Sequence, residues 1–275
     1  MRGLWGSSHP GPTMVVTALT TVLALAEGLP MAHLVLLSVS VFAGQVSIGL
    51  SNDALDAARD RSVGRTDKPL ARPGAPIRLA WAVCGGSVVV AIALSAAIGW
   101  RVAAGHAVLL AAGWAYNLGL KRTSWSVVGF VVAFGGLPSL VRLAGPDPGL
   151  APLWATIAGA LLGVAIHFSN VLPDFADDAR TGVRGLPHRL GFRASAILAP
   201  AAVMAGGLAV AIGADAPAGV GTAIRWIGFG LVLGLAVWSL TSTLRRGATR
   251  LGFRLVMAAA AVLVAQLAAM SALSG

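Results

Sequence analysis

Nine blocks of roughly twenty mostly apolar residues, each about long enough to cross a bilayer as a helix, run through this chain. They cover roughly residues 13–29, 31–51, 77–99, 102–119, 125–144, 150–171, 194–213, 219–241 and 251–273. Lipid offers no water to an exposed peptide group, so blocks of this length must fold as helices and pack on one another. The expected fold class is all-α. It is a polytopic membrane bundle of about nine transmembrane helices in one domain over residues 1–275. Composition leads the same way, since 57% of the residues are hydrophobic and only 11% are charged, against about a quarter in a soluble domain. Turn signals separate the blocks, as at Glu27-Gly28-Leu29-Pro30, Gly99-Trp100-Arg101 and Gly145-Pro146-Asp147-Pro148-Gly149. Residues 1–13 lack the order of a cleavable leader, so the first block is read as a retained span. Cys84, the single cysteine, stands inside a span and has no intrachain partner.

Lys and Arg near span ends resist translocation, and this sets the orientation. With the N-terminus in the cytoplasm, seventeen basic residues fall inside, and three (Arg101, Arg142 and Arg225) fall outside. The reading is a multi-pass protein of the cell membrane with a cytoplasmic N-terminus and membrane lipid as a partner. The net charge of +10 does not mark a nucleic-acid binder, because the basic residues lie in short loops rather than on one polar face.

Two polar stretches interrupt the apolar pattern, both on the cytoplasmic side in this orientation. Residues 52–74 read NDALDAARDRSVGRTDKPLARPG, and residues 170–191 read NVLPDFADDARTGVRGLPHRLG. Together they hold seven of the ten carboxylates in the chain. Asn52, Asp56, Asp60 and Gly64 recur as Asn170, Asp174, Asp178 and Gly182 at a constant offset of 118. The repeat predicts two related four-helix halves plus a ninth helix, with motif-bearing loops at about 52–76 and 170–193. Convergence of two segments on one ligand chemistry is the other explanation.

Spacing at i, i+4 and i+8 puts Asn52, Asp56 and Asp60 on one helix face, with Asp53 beside them. Asn170, Asp174 and Asp178 repeat that face, with Asp177 beside Asp178. Carboxylates this close repel unless a cation intervenes, and carboxylate oxygens together with phosphate oxygens are the usual ligands of Mg²⁺. Arg59, Arg65, Lys68, Arg72, Lys121, Arg122, Arg184 and Arg189 surround the acids and suit a diphosphate. A charged loop closed by its own salt bridges would explain one motif, but it explains two matching motifs on one membrane face poorly.

These residues resemble the UbiA superfamily of intramembrane prenyltransferases. Asn52, Asp53, Asp56 and Asp60 match its N-D-x-x-D-x-x-x-D pattern, and Asp174 and Asp178 match its D-x-x-x-D. The stretch VGRTDKPLARPG resembles the family's basic segment, and Tyr116 with Lys121 resembles its Tyr-x-x-x-x-Lys segment. The resemblance implies a nine-helix bundle around a cavity that opens sideways to lipid. It implies a Mg²⁺-bound isoprenyl diphosphate and transfer of the prenyl group to a small or lipidic acceptor. Asp53, Asp56 and Asp60 would hold one metal, and Asp174 and Asp178, with Asp177, a second or the same cluster. Lys68, Lys121 and Arg184 would steady the leaving diphosphate, with Arg72, Arg122, Asn52 and Asn170 completing its site. An apolar cavity would keep water from an allylic carbocation, and Tyr116 would shield it.

The chain has Asn170 where some aromatic-acceptor members carry a tyrosine, and Asn117-Leu118 where Ser-Pro is usual, so the acceptor stays open. His167 would touch the acceptor, act as a base or make a structural hydrogen bond. His106 is expected as a packed, bonded histidine, and His9 and His33 at the interface. A membrane terpene cyclase acting on the diphosphate alone is the alternative activity. A transporter would hold its charges nearer the midplane, and a phosphatidyl-type transferase would show D-G-x-x-A-R, which is absent.

Overall fold

The computed structural model describes residues 2–64, 68–180, 182–214, 219–247 and 250–274. Its helices are α1 (Arg2–Ser7), α2 (Pro10–Ala26), α3 (Met31–Ser62), α4 (Ile77–Ile98), α5 (Trp100–Leu118) and α6 (Val128–Leu143). They continue as α7 (Leu153–Val171), α8 (Phe175–Arg180), α9 (Leu186–Leu190), α10 (Phe192–Gly213), α11 (Val220–Arg246) and α12 (Arg250–Ser274). Single 3-10 turns lie at Pro69–Ala71, Leu120–Arg122 and Leu172–Asp174. No strand occurs among the described residues.

The long helices α2–α7 and α10–α12 coincide with the apolar blocks. By length and composition α3, α4, α7, α10 and α11 can each cross a membrane, with shorter apolar helices at Pro10–Ala26, Val128–Leu143 and Arg254–Met270. Pro30, Pro76 and Pro152 stand just before α3, α4 and α7, where a missing N–H costs nothing. Each long helix packs on the next, and α12 closes the ring against α2.

The offset of 118 extends to the whole layout. It carries α2 onto α6, α3 onto α7–α8, α4 onto α10 and α5 onto α11, leaving α12 as the added helix. Gly64 (φ 72°) and Gly182 (φ 80°) are both left-handed, one at the end of each motif. Pro69 and Pro187 then open the short helices that follow. The copies differ at the motif itself. α3 runs unbroken for 32 residues, about 48 Å against a hydrocarbon core of about 30 Å. The first motif therefore rides on the last turns of α3, beyond the apolar span, rather than in a loop. In the second copy Pro173 ends α7 and a 3-10 turn leads into α8.

α6 and α7 approach almost to backbone contact. A Cβ at Gly159 would collide with the Phe134 carbonyl, and one at Gly163 with the Phe130 carbonyl. This sets the cavity wall, because Phe130 and Phe134 both line it.

Candidate active site

A cavity of about 460 Å³ lies between α2, α3, α5, α6 and α7, and the motif ends of these helices line one part of it. Asn52, Asp56, Arg59 and Asp60 line it from α3, and Asn170 and Asp178 from the second copy. Lys68 and Lys121 border it from the loops. Tyr116, Phe130, Phe134, Leu137 and Leu140 continue the wall inward.

The carboxylates of α3 are buried and paired. Lys121 Nζ donates to Asp56 Oδ2 at 2.6 Å and to Asn52 Oδ1 at 3.1 Å. Arg59 Nη2 lies 3.0 Å from Asp56 Oδ2 and 3.2 Å from Asp60 Oδ1. Asp56, Asp60 and Lys121 are each about 95% enclosed, so these charges face the cavity and one another rather than bulk water. Burial pushes the Lys121 ammonium below the ordinary lysine value, and the bond and charge of Asp56 pull it back up.

Asp53, read from the sequence as a further ligand of the same metal, has different partners. His9 Nε2 lies 2.8 Å from Asp53 Oδ1, and Lys68 Nζ donates to the same oxygen at 2.7 Å. Asp53 is not among the lining residues, whereas His9 is. The bonds to His9 tie the start of α2 to the motif, and the Ser8 carbonyl sits where only a glycine, Gly49, leaves room on α3.

The second copy is stitched to the α5–α6 connection. Leu186 N–H donates to Ser126 Oγ at 2.9 Å, and Gly185 lies against the Lys121 carbonyl, where a Cβ would stand 2.7 Å away. Tyr116 is within electrostatic reach of both Asp56 and Asp178, one from each half. Its ring stands edge-on to Phe130 at 5.1 Å and to His167 at 5.9 Å.

The structure thus brings Asn52, Asp56, Asp60, Lys68, Tyr116, Lys121, Asn170 and Asp178 to one cavity. Arg72, Arg122 and Arg184 are exposed and do not line it. The side chains of Asp174 and Asp177, and Arg65 altogether, lie outside the described residues. His167 is fully buried behind Tyr116 and Phe130, with Nε2 3.0 Å from Ser126 Oγ. Its Nδ1 has no partner among the described residues. Lining residues with no functional reading in the sequence include Gln45, Phe130 and Phe134. Asn117 ties α5 to α3 by donating to the Ile48 carbonyl and to Ser51 Oγ, both at 2.8 Å.

Among the described residues no group of three or more His, Cys, Asp or Glu is close enough to hold a metal by itself. The oxygen donors facing the cavity are nonetheless the hard ligands that Mg²⁺ takes, and they fit an ion shared with a phosphate.

A family model described as the UbiA prenyltransferase family matches residues 13–258. The chain belongs to this family. Its fold is that of solved members. A UbiA homologue from Archaeoglobus fulgidus bound to GPP and Mg²⁺ superposes with TM-score 0.72 at 15% identity, over 98% of this chain and 99% of that one. The apo UbiA homologue from Aeropyrum pernix K1 gives 0.71 at 19% identity, over 93% and 96%. A digeranylgeranylglyceryl phosphate synthase gives 0.70 at 12% identity, over 98% of each chain. No curated protein sequence matches this UbiA-family chain as a relative.

Proposed function

We propose that this UbiA-family protein is a Mg²⁺-dependent prenyltransferase that moves an isoprenyl group from its diphosphate to an acceptor within the cavity. One observation carries the reading. Asn52, Asp56 and Asp60 from one half and Asn170 and Asp178 from the other line a single cavity, together with two lysines and an aromatic wall.

These oxygens, with Asp174 as a further donor, would hold Mg²⁺, which would supply positive charge to offset that on the leaving diphosphate. Lys121 and Arg59 are already poised beside Asp56 and Asp60. They exchange those carboxylates for phosphate oxygens as the substrate enters, so the cost of desolvating the lysine is met before binding. Lys68 stays with Asp53 and fixes the loop that follows the first motif. As the bond between C1 and the bridging oxygen lengthens, positive charge develops on the allylic carbons, and the faces of Tyr116 and Phe130 stabilise it. Leu109, Leu110, Leu137 and Leu140 keep water from capturing the cation. The acceptor then forms the new bond to C1 and loses a proton. Its motif face is cytoplasmic and its membrane the cell membrane, on the seventeen-to-three distribution of basic residues.

The test is incubation of the purified protein in lipid discs with geranyl diphosphate and Mg²⁺, with and without membrane lipid extract. A prenylated product that needs the extract supports transfer. Release of a cyclised hydrocarbon without it assigns the cyclase reaction instead. Consumption of neither substrate refutes both.

A further inference from the structure

Beyond the motif region the cavity runs between apolar side chains, yet its depth is not wholly apolar. His106 on α5 and Gln45 on α3 both line it. His106 stands ten residues before Tyr116, ~15 Å along the helix axis, and Gln45 seven before Asn52, ~10 Å along its own. The two helices run parallel, since Gly44 faces His106 and Ser51 accepts from Asn117 further along both. Both side chains therefore lie in the membrane interior, far from the motif carboxylates, among Val41, Leu109, Leu110, Leu137 and Leu140.

His106 is held at one ring nitrogen. Nδ1 lies 2.8 Å from the hydroxyl oxygens of both Ser40 and Ser95, which stand 2.7 Å from each other, and Ser40 Oγ lies 3.0 Å from the Ala91 carbonyl. Nε2 is left for a further partner, as acceptor or donor according to which ring nitrogen carries the hydrogen. Among the described residues neither Nε2 nor the Gln45 amide has a hydrogen-bond partner. On the α3 side Gly44 packs against the ring, where a Cβ would stand 2.9 Å from Nε2.

The tie between α3, α4 and α5 needs only Nδ1 and the two serines. It explains neither the unpartnered Nε2 nor the unpaired amide of Gln45. Covering such groups with hydrocarbon is unfavourable, whereas a hydroxyl satisfies them.

We propose that His106 and Gln45 form a hydrogen-bonding subsite in the depth of the cavity that selects a substrate carrying a hydroxyl remote from the reacting carbon. The hydroxyl bonds both His106 Nε2 and the Gln45 amide, as donor to one and acceptor from the other. This rests on the diphosphate reading above, because the motifs anchor the other end of the ligand. The hydroxyl belongs either to the far end of the prenyl chain or to the acceptor, and the two sources are separable.

The first arm compares Mg²⁺-dependent binding of farnesyl diphosphate with that of its ω-hydroxylated form. Three isoprene units of about 5 Å each, from C–C bond lengths, reach from the level of Tyr116 to that of His106. The second arm seats the non-reactive dimethylallyl thiolodiphosphate, which leaves the depth open, and compares 1-naphthol with 1,4-dihydroxynaphthalene. Wild type should bind the hydroxyl-richer member about fivefold to tenfold more tightly in the arm that matches the natural source, the worth of one or two net hydrogen bonds. Gln45→Leu and His106→Leu should bring that ratio to about one without weakening the plain member. Thermal unfolding of both variants guards against a folding defect, and Gln45→Leu, which leaves the Ser40–Ser95–His106 tie in place, carries the test if the histidine variant does not fold. Ratios of one in wild type in both arms would overturn the proposal and leave the node to water and helix packing. Failure of plain farnesyl diphosphate to bind at all would instead overturn the diphosphate reading.

Discussion

Replacing Lys121 by Met separates the two tasks given to this lysine. Methionine fills the space of the stem and removes the charge. In the empty protein Lys121 holds Asp56 at 2.6 Å and Asn52 at 3.1 Å, while Arg59 holds the other side of Asp56 at 3.0 Å. Breaking a buried pair costs about 3–5 kcal/mol when one charge is left alone. Here Arg59 remains, so the loss of stability should be no more than about 1–2 kcal/mol, a charged hydrogen bond without an orphan. In the complex the lysine bonds a phosphate oxygen, worth about 1.5–3 kcal/mol, or tenfold to a hundredfold in affinity. Affinity for Mg²⁺ alone should not fall, because Asp56 sheds a competitor for its oxygen. The assay is titration of a non-hydrolysable geranyl thiolodiphosphate, with and without Mg²⁺, beside thermal unfolding in the same detergent. Diphosphate affinity within twofold of wild type in a folded variant would refute the partner exchange proposed for Lys121.

Asp56→Asn and Asp178→Asn should each abolish turnover while the protein still purifies folded, since an amide keeps the shape but loses the charge that holds Mg²⁺; activity in either at normal yield sinks the metal assignment. Asp60→Asn and Asp178→Asn should each remove most of the coupling between Mg²⁺ and diphosphate, and the double variant little more; additive losses on titration would mean two separate sites. Cysteines at Ser62 and Arg184, with Cys84 removed, should escape an impermeant thiol reagent added to intact cells, and labelling of either would reverse the orientation. Gly163→Val should lower the yield of folded protein, because α6 backbone stands where the side chain must go, whereas Gly86→Val, facing open space on α4, should not; equal yields would contradict the packing described for α6 and α7.

The helices were legible because lipid allows so few alternatives. A twenty-residue apolar block has one good solution, and every long helix falls on a block. The motif face was legible for a similar reason, since spacing of four on a helix states which side chains share a side, and Asn52, Asp56 and Asp60 do line one cavity. What the pattern could not show is where a neighbouring residue turns. Asp53 differs from Asp56 by three positions, close to one turn, yet it is claimed by His9 and Lys68 from elsewhere in the chain. His9 looked interfacial because nothing in a local window says that the segment before α2 folds across the motif. Arg72, Arg122 and Arg184 look equivalent to Lys121 in sequence, and only the tertiary path of each loop separates the buried lysine from the exposed arginines.

The two halves are alike in fold and unlike in chemistry. α2, α3, α6 and α7 all line the cavity, so the acidic faces are used twice. α5 lines it as well, but its counterpart α11 contributes nothing to the wall. The residues that the offset of 118 places on α11 and its end match that position, with Ile224 for His106, Gly234 for Tyr116 and Ser239 for Lys121. Lys68 likewise answers to Leu186. Oxygen donors and aromatic rings therefore come from both sides, with Tyr116 on α5 and Phe130 and Phe134 on α6, while the buried cation and the polar groups in the depth come from one. A symmetric pair of carboxylate faces can grip a metal–diphosphate unit without telling its two ends apart. Direction has to come from the unequal part, which places the leaving-group cations beside the first motif. On this reasoning, moving a lysine to Ser239 should not rescue Lys121→Met, because α11 stands outside the cavity, and recovery of diphosphate affinity in that double variant would show that the halves are functionally interchangeable after all.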